Sequence, residues 1–225
     1  RGKWTMDLGY QPTNPNVARG KWVKNFDFST PTNIVPYAHS IAVDENFNAY
    51  KTDNKDGEYF ENAAIYIDRL SKELKENAKG MDSVKRHIAI CMVVHLVGDM
   101  HCPGHISREG APVTGSVKVV FMGERMGYHG LWDDALITFI HPWSYVEYNH
   151  QLGNLTPSQV EEITAGSVID WGCQMVRYTS QVYDWVYPEC ELGKPFIYKA
   201  YPVADRCIQL AGYRLAKILD DCFRQ

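Results

Sequence analysis

The chain has 225 residues, 45% of them apolar and 22% charged, with a net charge of −4. That profile suits one compact soluble domain, or at most two small ones, and excludes a chain disordered throughout. It also excludes the broad basic field of a protein that grips long duplexes, while leaving open a small site whose positive charge comes from bound metal. The most apolar run, Ile88 to Gly98, is too short for a transmembrane span.

Taken in chain order, residues 1–57 are rich in Asn, Pro, Asp and Gly and read as irregular chain with short elements. The chain opens on Arg-Gly-Lys rather than Met and shows no signal peptide, so an upstream segment is expected to have been removed or omitted. Helical pattern starts at Glu58, with Phe60, Ala64, Ile67 and Leu70 at helical spacing, and stops near Gly80. A second helix is expected from the cap Asp82-Ser83 to about His101. It is apolar nearly all round after Ile88 and should lie at the centre of the domain, with Pro103 and Gly104 ending it. Val117, Val119 and Phe121 alternate and precede Gly123, the pattern of a small hairpin within 112–128.

Helical pattern returns at about Leu131 and again over Trp143–Gln151. A long helix is expected after Leu155, with Thr156 as cap, Pro157 at the first helical position and Gln159 completing a capping box. The last helix is expected over about Pro202–Phe223. The fold class is therefore mainly α with one small β-hairpin. No internal repeat is evident.

Six cysteines (Cys91, Cys102, Cys173, Cys190, Cys207 and Cys222) include no C-x-x-C, which excludes a zinc ribbon or a thioredoxin-type motif. Three disulfides of unreadable connectivity are possible, and disulfide bonding is the expectation. The competing reading makes Cys91 and Cys102, in or beside apolar helix, buried thiols.

The chemistry is carried by histidines. His95 and His129 each stand four residues before an aspartate, Asp99 and Asp133, on helical sequence. That spacing puts both side chains on one helix face, a turn apart. Imidazole and carboxylate together are a good ligand set for zinc. One such pair means little, since a surface ion pair or a satisfied core histidine explains it equally well. Context favours metal: His95 and Asp99 lie in the most apolar helix, where a carboxylate is costly unless paired or bound to a cation. A Pro-Gly turn can fold His105 back over the end of that helix. Two ions held this way suit in-line displacement at phosphorus. His101 and Cys102 are expected to face away from the site, and His87, His141 and His150 to lie on the surface. No H-E-x-x-H points to a zinc peptidase.

The run Val94-His95-Leu96-Val97-Gly98-Asp99-Met100-His101-Cys102-Pro103-Gly104-His105 resembles the core motif of the S-one/P-one single-strand-specific zinc nucleases. Tyr128-His129 through Leu136, with Trp132 before Asp133, is similar to that family's second motif. Ala211-Gly212-Tyr213-Arg214-Leu215-Ala216 resembles its last helix, and Pro36-Tyr37-Ala38-His39 the segment supplying another histidine. The resemblance implies a single phospholipase C/nuclease-like helical domain over 1–225, lacking the family's N-terminal segment, and two or three zinc ions.

By motif, His39, His95 and Asp99 would hold one ion together with a further Asp, for which Trp4-Thr5-Met6-Asp7 offers Asp7. His105, His129 and Asp133 would hold another, and Asp99 would bridge to a neighbouring ion. Asp7 and Asp99 would be the catalytic carboxylates, Asp7 also orienting water. The implied activity is hydrolysis of single-stranded nucleic acid or 3′-nucleotides by metal-activated water, in a secreted or periplasmic protein with no protein partner. The alternatives are a zinc phospholipase C acting on phospholipid, or a non-catalytic metal-binding relative.

Three positions depart from the family pattern. Nothing at Arg1-Gly2-Lys3 replaces the terminal Trp and nearby His that ligate the bridged ion, so at most two tightly held ions are expected. Tyr10 stands where an Arg usually binds phosphate, and Ser40 where an aromatic residue usually stacks on a base.

Overall fold

The structure, a computed structural model, describes residues 41–43, 52–53, 59–60, 63–108 and 117–224. The architecture is mainly α, as the periodicity predicts. Helices α1 (Ala63–Asn77) and α2 (Ser83–His101) form an antiparallel pair at the centre. Asp82 caps α2, its carboxylate accepting from the backbone N–H groups of Val84 and Lys85, which satisfies two donors that have no partner inside the helix. The expected helix start at Glu58 is corrected: Tyr59–Phe60 form strand β3, paired antiparallel with β2 (Thr52–Asp53), and α1 begins only at Ala63.

Strand β1 (Ile41–Val43) pairs in parallel with β4 (Ile106–Arg108), Ile41 opposite Ile106. The predicted hairpin is β5 (Lys118–Phe121) and β6 (Glu124–Gly127). Met122 and Gly123 between them both have positive φ, 50° and 89°, the turn whose twist matches a two-residue hairpin. A later strand, β7 (Glu191–Leu192), adds to β5 in parallel.

The hairpin feeds directly into α3 (Tyr128–Gly130), a π turn over Leu131–Ala135, and α4 (Leu136–Ile140). Helix α5 (Tyr145–Leu152) starts with a Ser144/Glu147 capping box. The helix expected after Leu155 is real but short. Its predicted Thr156/Gln159 capping box opens α6 (Pro157–Thr164), which breaks at Gly166, where φ is 84°. A second box, Ser167/Asp170, then opens α7 (Val168–Thr179). The last helix, α8 (Lys194–Phe223), begins eight residues before the predicted start and carries Pro202 inside it.

The core lies where α1, α2, α7 and α8 meet. Ile67 and Leu74, Val93 and Met100, Met175 and Val176, and Ala200 and Leu210 are all buried there. Each large apolar side chain contributes about 1.5–3 kcal/mol by leaving water. Gly172 lets α7 approach closely, since a Cβ there would meet Ile41 Cδ1 at 3.0 Å and the Ala64 Cβ at 3.3 Å. Among the described residues, no helix is long and apolar enough to cross a membrane.

The expectation of disulfides is overturned: all six cysteines are free thiols. The sulfurs face other partners. Cys222 donates to the Ser71 carbonyl at 3.3 Å, Cys102 faces Asp133, and Cys91 lies 3.8 Å from His87 Nε2.

Candidate metal centre

Both imidazole–carboxylate pairs are aimed by a buried pair next to them in sequence. On α2, Leu96 and Met100 are buried. Their neighbours His95 and Asp99, about 100° around the helix, therefore turn to an adjacent, half-open side. On α3 and the π turn, Tyr128 and Trp132 are the buried pair, and His129 and Asp133 follow them. The Tyr128 hydroxyl donates to the Val182 carbonyl at 2.8 Å, and its ring meets Trp132 edge-on. These contacts fix the rotation of the segment.

The third piece is a 3₁₀ turn, Pro103–His105, that follows α2 directly. Gly104 lies against α3: a Cβ there would meet the His129 carbonyl oxygen at 3.0 Å and the Trp132 Cβ at 3.3 Å. Only glycine permits this approach without displacing α3. It brings the His105 and His129 rings to a 4.4 Å centroid separation.

The five side chains form one continuous path. His95 Nε2 lies 3.1 Å from Asp99 Oδ2, and His129 Nε2 lies 3.1 Å from Asp133 Oδ2. His105 joins the two pairs, its Nε2 standing 3.1 Å from Asp133 Oδ1 and 3.8 Å from Asp99 Oδ1. His105 is buried, His95, Asp99 and His129 are half-buried, and Asp133 is exposed. Three imidazoles and two carboxylates at these separations are a donor set of the kind that holds zinc.

A family model described as S1/P1 Nuclease matches residues 18–224. The chain belongs to the S1/P1 nuclease family. No curated protein matches it. Membership makes the chain one of a family of phosphodiester-cleaving hydrolases.

Within this S1/P1 nuclease, burial alone would raise the pKa of Asp133. The hydrogen bonds from His105 and His129 outweigh that, and they hold the carboxyl well below the ordinary range. His101 points the other way, as its sequence reading predicts. It is buried, with Nδ1 2.7 Å from the Val97 carbonyl and Nε2 3.0 Å from Arg214 Nη1. A carbonyl only accepts and a guanidinium only donates, so Nδ1 carries the proton and the ring is neutral. Burial, opposed by the Val97 bond and aided by the Arg214 charge, pushes its pKa down to about 3.

Two readings need correction. Cys102, expected to face away, turns its Sγ to 3.4 Å from Asp133 Oδ1. Burial, and then the Asp133 charge, push this thiol well above its usual range. The signal that would have found it is spacing, since Cys102 stands three residues after Asp99 and three before His105. His141, expected on the surface, is half-buried and stacks on Trp143 at 3.7 Å, with Tyr148 and Tyr201 edge-on. His87 and His150 are exposed as expected. Asp7 and His39 lie outside the described residues, as do Tyr10 and Ser40.

Proposed function

We propose that this S1/P1 nuclease is a zinc-dependent phosphodiesterase that cleaves single-stranded nucleic acid or 3′-nucleotides and works outside the cytoplasm. In this reading, His95 and Asp99 hold one ion with His39 and Asp7. His105, His129 and Asp133 would hold a second, and Asp99 would also reach a further neighbouring ion. The observation that carries it is the unbroken path from His95 through Asp99, His105 and Asp133 to His129. His39 stays in the set because strand β1 begins two residues after it and pairs with β4, which begins directly after His105.

Bound zinc supplies Lewis-acid polarisation of the phosphate and lowers the pKa of water. The chain's own residues do the positioning. Asp133, kept ionised, holds the His105 and His129 rings in register. Asp99 is fixed by its place beside buried Met100 and faces both histidine groups. Asp7 is the proposed orienter of the attacking water.

The test is zinc content after exhaustive dialysis, paired with hydrolysis of single-stranded DNA and of a 3′-nucleotide, for the natural chain and His129→Ala. Retained zinc and chelator-sensitive cleavage in the natural chain, with both reduced in the variant, support the reading. Cleavage indifferent to chelator would overturn it. Hydrolysis of phosphatidylcholine vesicles without nucleotide cleavage would move the assignment to the phospholipase alternative.

A further inference from the structure

The 3₁₀ turn after α2 does more than deliver His105. Its N-cap is Cys102, and the His105 N–H donates to the Cys102 carbonyl at 3.0 Å. Cys102 has extended backbone between α2 and the turn, and its side chain and that of His105 both reach Asp133. The π turn presents Asp133 to both. As a result Cys102 Sγ, His105 Nε2 and an Asp133 oxygen all lie within 4.8 Å of one another. The two closest separations are Sγ to Oδ1 at 3.4 Å and Nε2 to Oδ1 at 3.1 Å. With zinc bonds of about 2.0–2.3 Å, donors at the corners of a tetrahedron stand roughly 3.3–3.6 Å apart. Both separations from the Asp133 oxygen are thus close to those of neighbouring corners of one shell, and the sulfur and the imidazole nitrogen lie within 4.8 Å of each other.

We propose that Cys102 supplies a thiolate as a fourth protein ligand to the ion held by His105, His129 and Asp133. The proposal rests on the zinc reading above and adds a ligand to it. On binding, the Sγ–H bond breaks, the sulfur electron pair forms the bond to the metal, and the proton goes to solvent. Two imidazoles, a carboxylate and a thiolate make a closed four-ligand shell, the pattern of ions that hold structure together. Open coordination for substrate then falls to the ion at His95 and Asp99. The thiolate also makes this half of the centre sensitive to oxidants, because thiolate sulfur is the atom that oxidises.

The probe is cobalt(II) in place of zinc on the full chain. Cobalt gives visible ligand-field bands in any such site, but a near-ultraviolet charge-transfer band only with sulfur bound directly. The expected result is that the natural chain and Cys173→Ser show both features, whereas Cys102→Ser and Cys102→Ala keep the visible bands and lose the near-ultraviolet one. Zinc affinity in the Cys102 variants should fall by about 10–100-fold or more, since even removing a group behind a ligand costs that much. Visible bands without a charge-transfer band in the natural chain would show that Cys102 only hydrogen-bonds Asp133, overturning the thiolate and leaving the zinc reading intact. A charge-transfer band that persists in Cys102→Ser would also overturn it. No cobalt bands at all would remove both.

Discussion

Arg214 Nη1 donates to His101 Nε2 at 3.0 Å, tying the last helix to the one that carries His95 and Asp99. The same guanidinium donates from Nε to the Ile163 carbonyl at 2.9 Å and from Nη2 to Gln174 Oε1 at 2.6 Å, and it lies over the Trp171 ring. One buried side chain therefore locks α2, α6, α7 and α8 together behind the centre. Lysine carries the same charge but cannot present three donors in a planar fork. Arg214→Lys should lower unfolding free energy by about 2–5 kcal/mol, the scale for buried polar groups left unpaired. Urea unfolding measures it, and a loss below about 1 kcal/mol would contradict a locking role.

The same pair predicts a pH dependence. His101 takes a proton near pH 3 when folded and near its ordinary value of about 6.5 when unfolded. Between those values the unfolded chain binds the extra proton, so stability falls as pH drops from about 6.5 towards 3 and is unaffected above. Arg214 is the charged group packed against the ring, and its other partners, Gln174 and the Ile163 carbonyl, are neutral. The expected loss from His101 by pH 4 is about 3 kcal/mol. His101→Gln cannot titrate, so its unfolding free energy should fall less steeply over this range. Parallel slopes for the two chains would rule His101 out as the source.

Asp99 faces His95 on its own helix and His105 on the turn. Asp99→Asn should lose zinc by at least about 10–100-fold in affinity and lose phosphodiesterase activity with it. His101→Ala, altered on the opposite face of α2, should keep its zinc while losing stability. Equal zinc content in Asp99→Asn and the natural chain, measured by elemental analysis, would remove Asp99 from the ligand set.

Gly104→Ala tests the close approach of the turn to α3. The added methyl would press on the His129 backbone and the Trp132 Cβ, costing about 1–3 kcal/mol as overpacking and parting His105 from Asp133. Calorimetry should show weaker zinc binding together with a lower unfolding temperature. Unchanged binding would mean that the turn can shift without disturbing the centre.

What was legible in the sequence was local. Asp82 before α2, the Thr156-Pro157-Gln159 box and the two His-x-x-x-Asp pairs all act within one turn of helix, and each is where the pattern puts it. The errors arose where distant packing overrides a local signal. Pro202 reads as a helix start, yet the chain coils from Lys194, because Phe196 and Ala200 extend the buried stripe of α8. That burial offsets the roughly 3 kcal/mol that an interior proline costs. The helix after Leu155 reads as continuous, but a positive φ at Gly166 breaks it. Cys102 escapes the pattern because its extended backbone, between α2 and the 3₁₀ turn, is not described by α-helical periodicity.

The parallel seam of β1 and β4 has a kinetic consequence. His95, Asp99, His105, His129 and Asp133 lie close together along the chain, and helix, turn and hairpin join them. Ile41 meets Ile106 only after a much longer stretch of chain has been closed into a loop. Loop closure costs entropy before distant contacts repay it, and parallel pairing is intrinsically slow. The five-residue centre is therefore expected to assemble early and the seam late, so zinc added at the start of refolding should speed the first phase and leave the last unchanged.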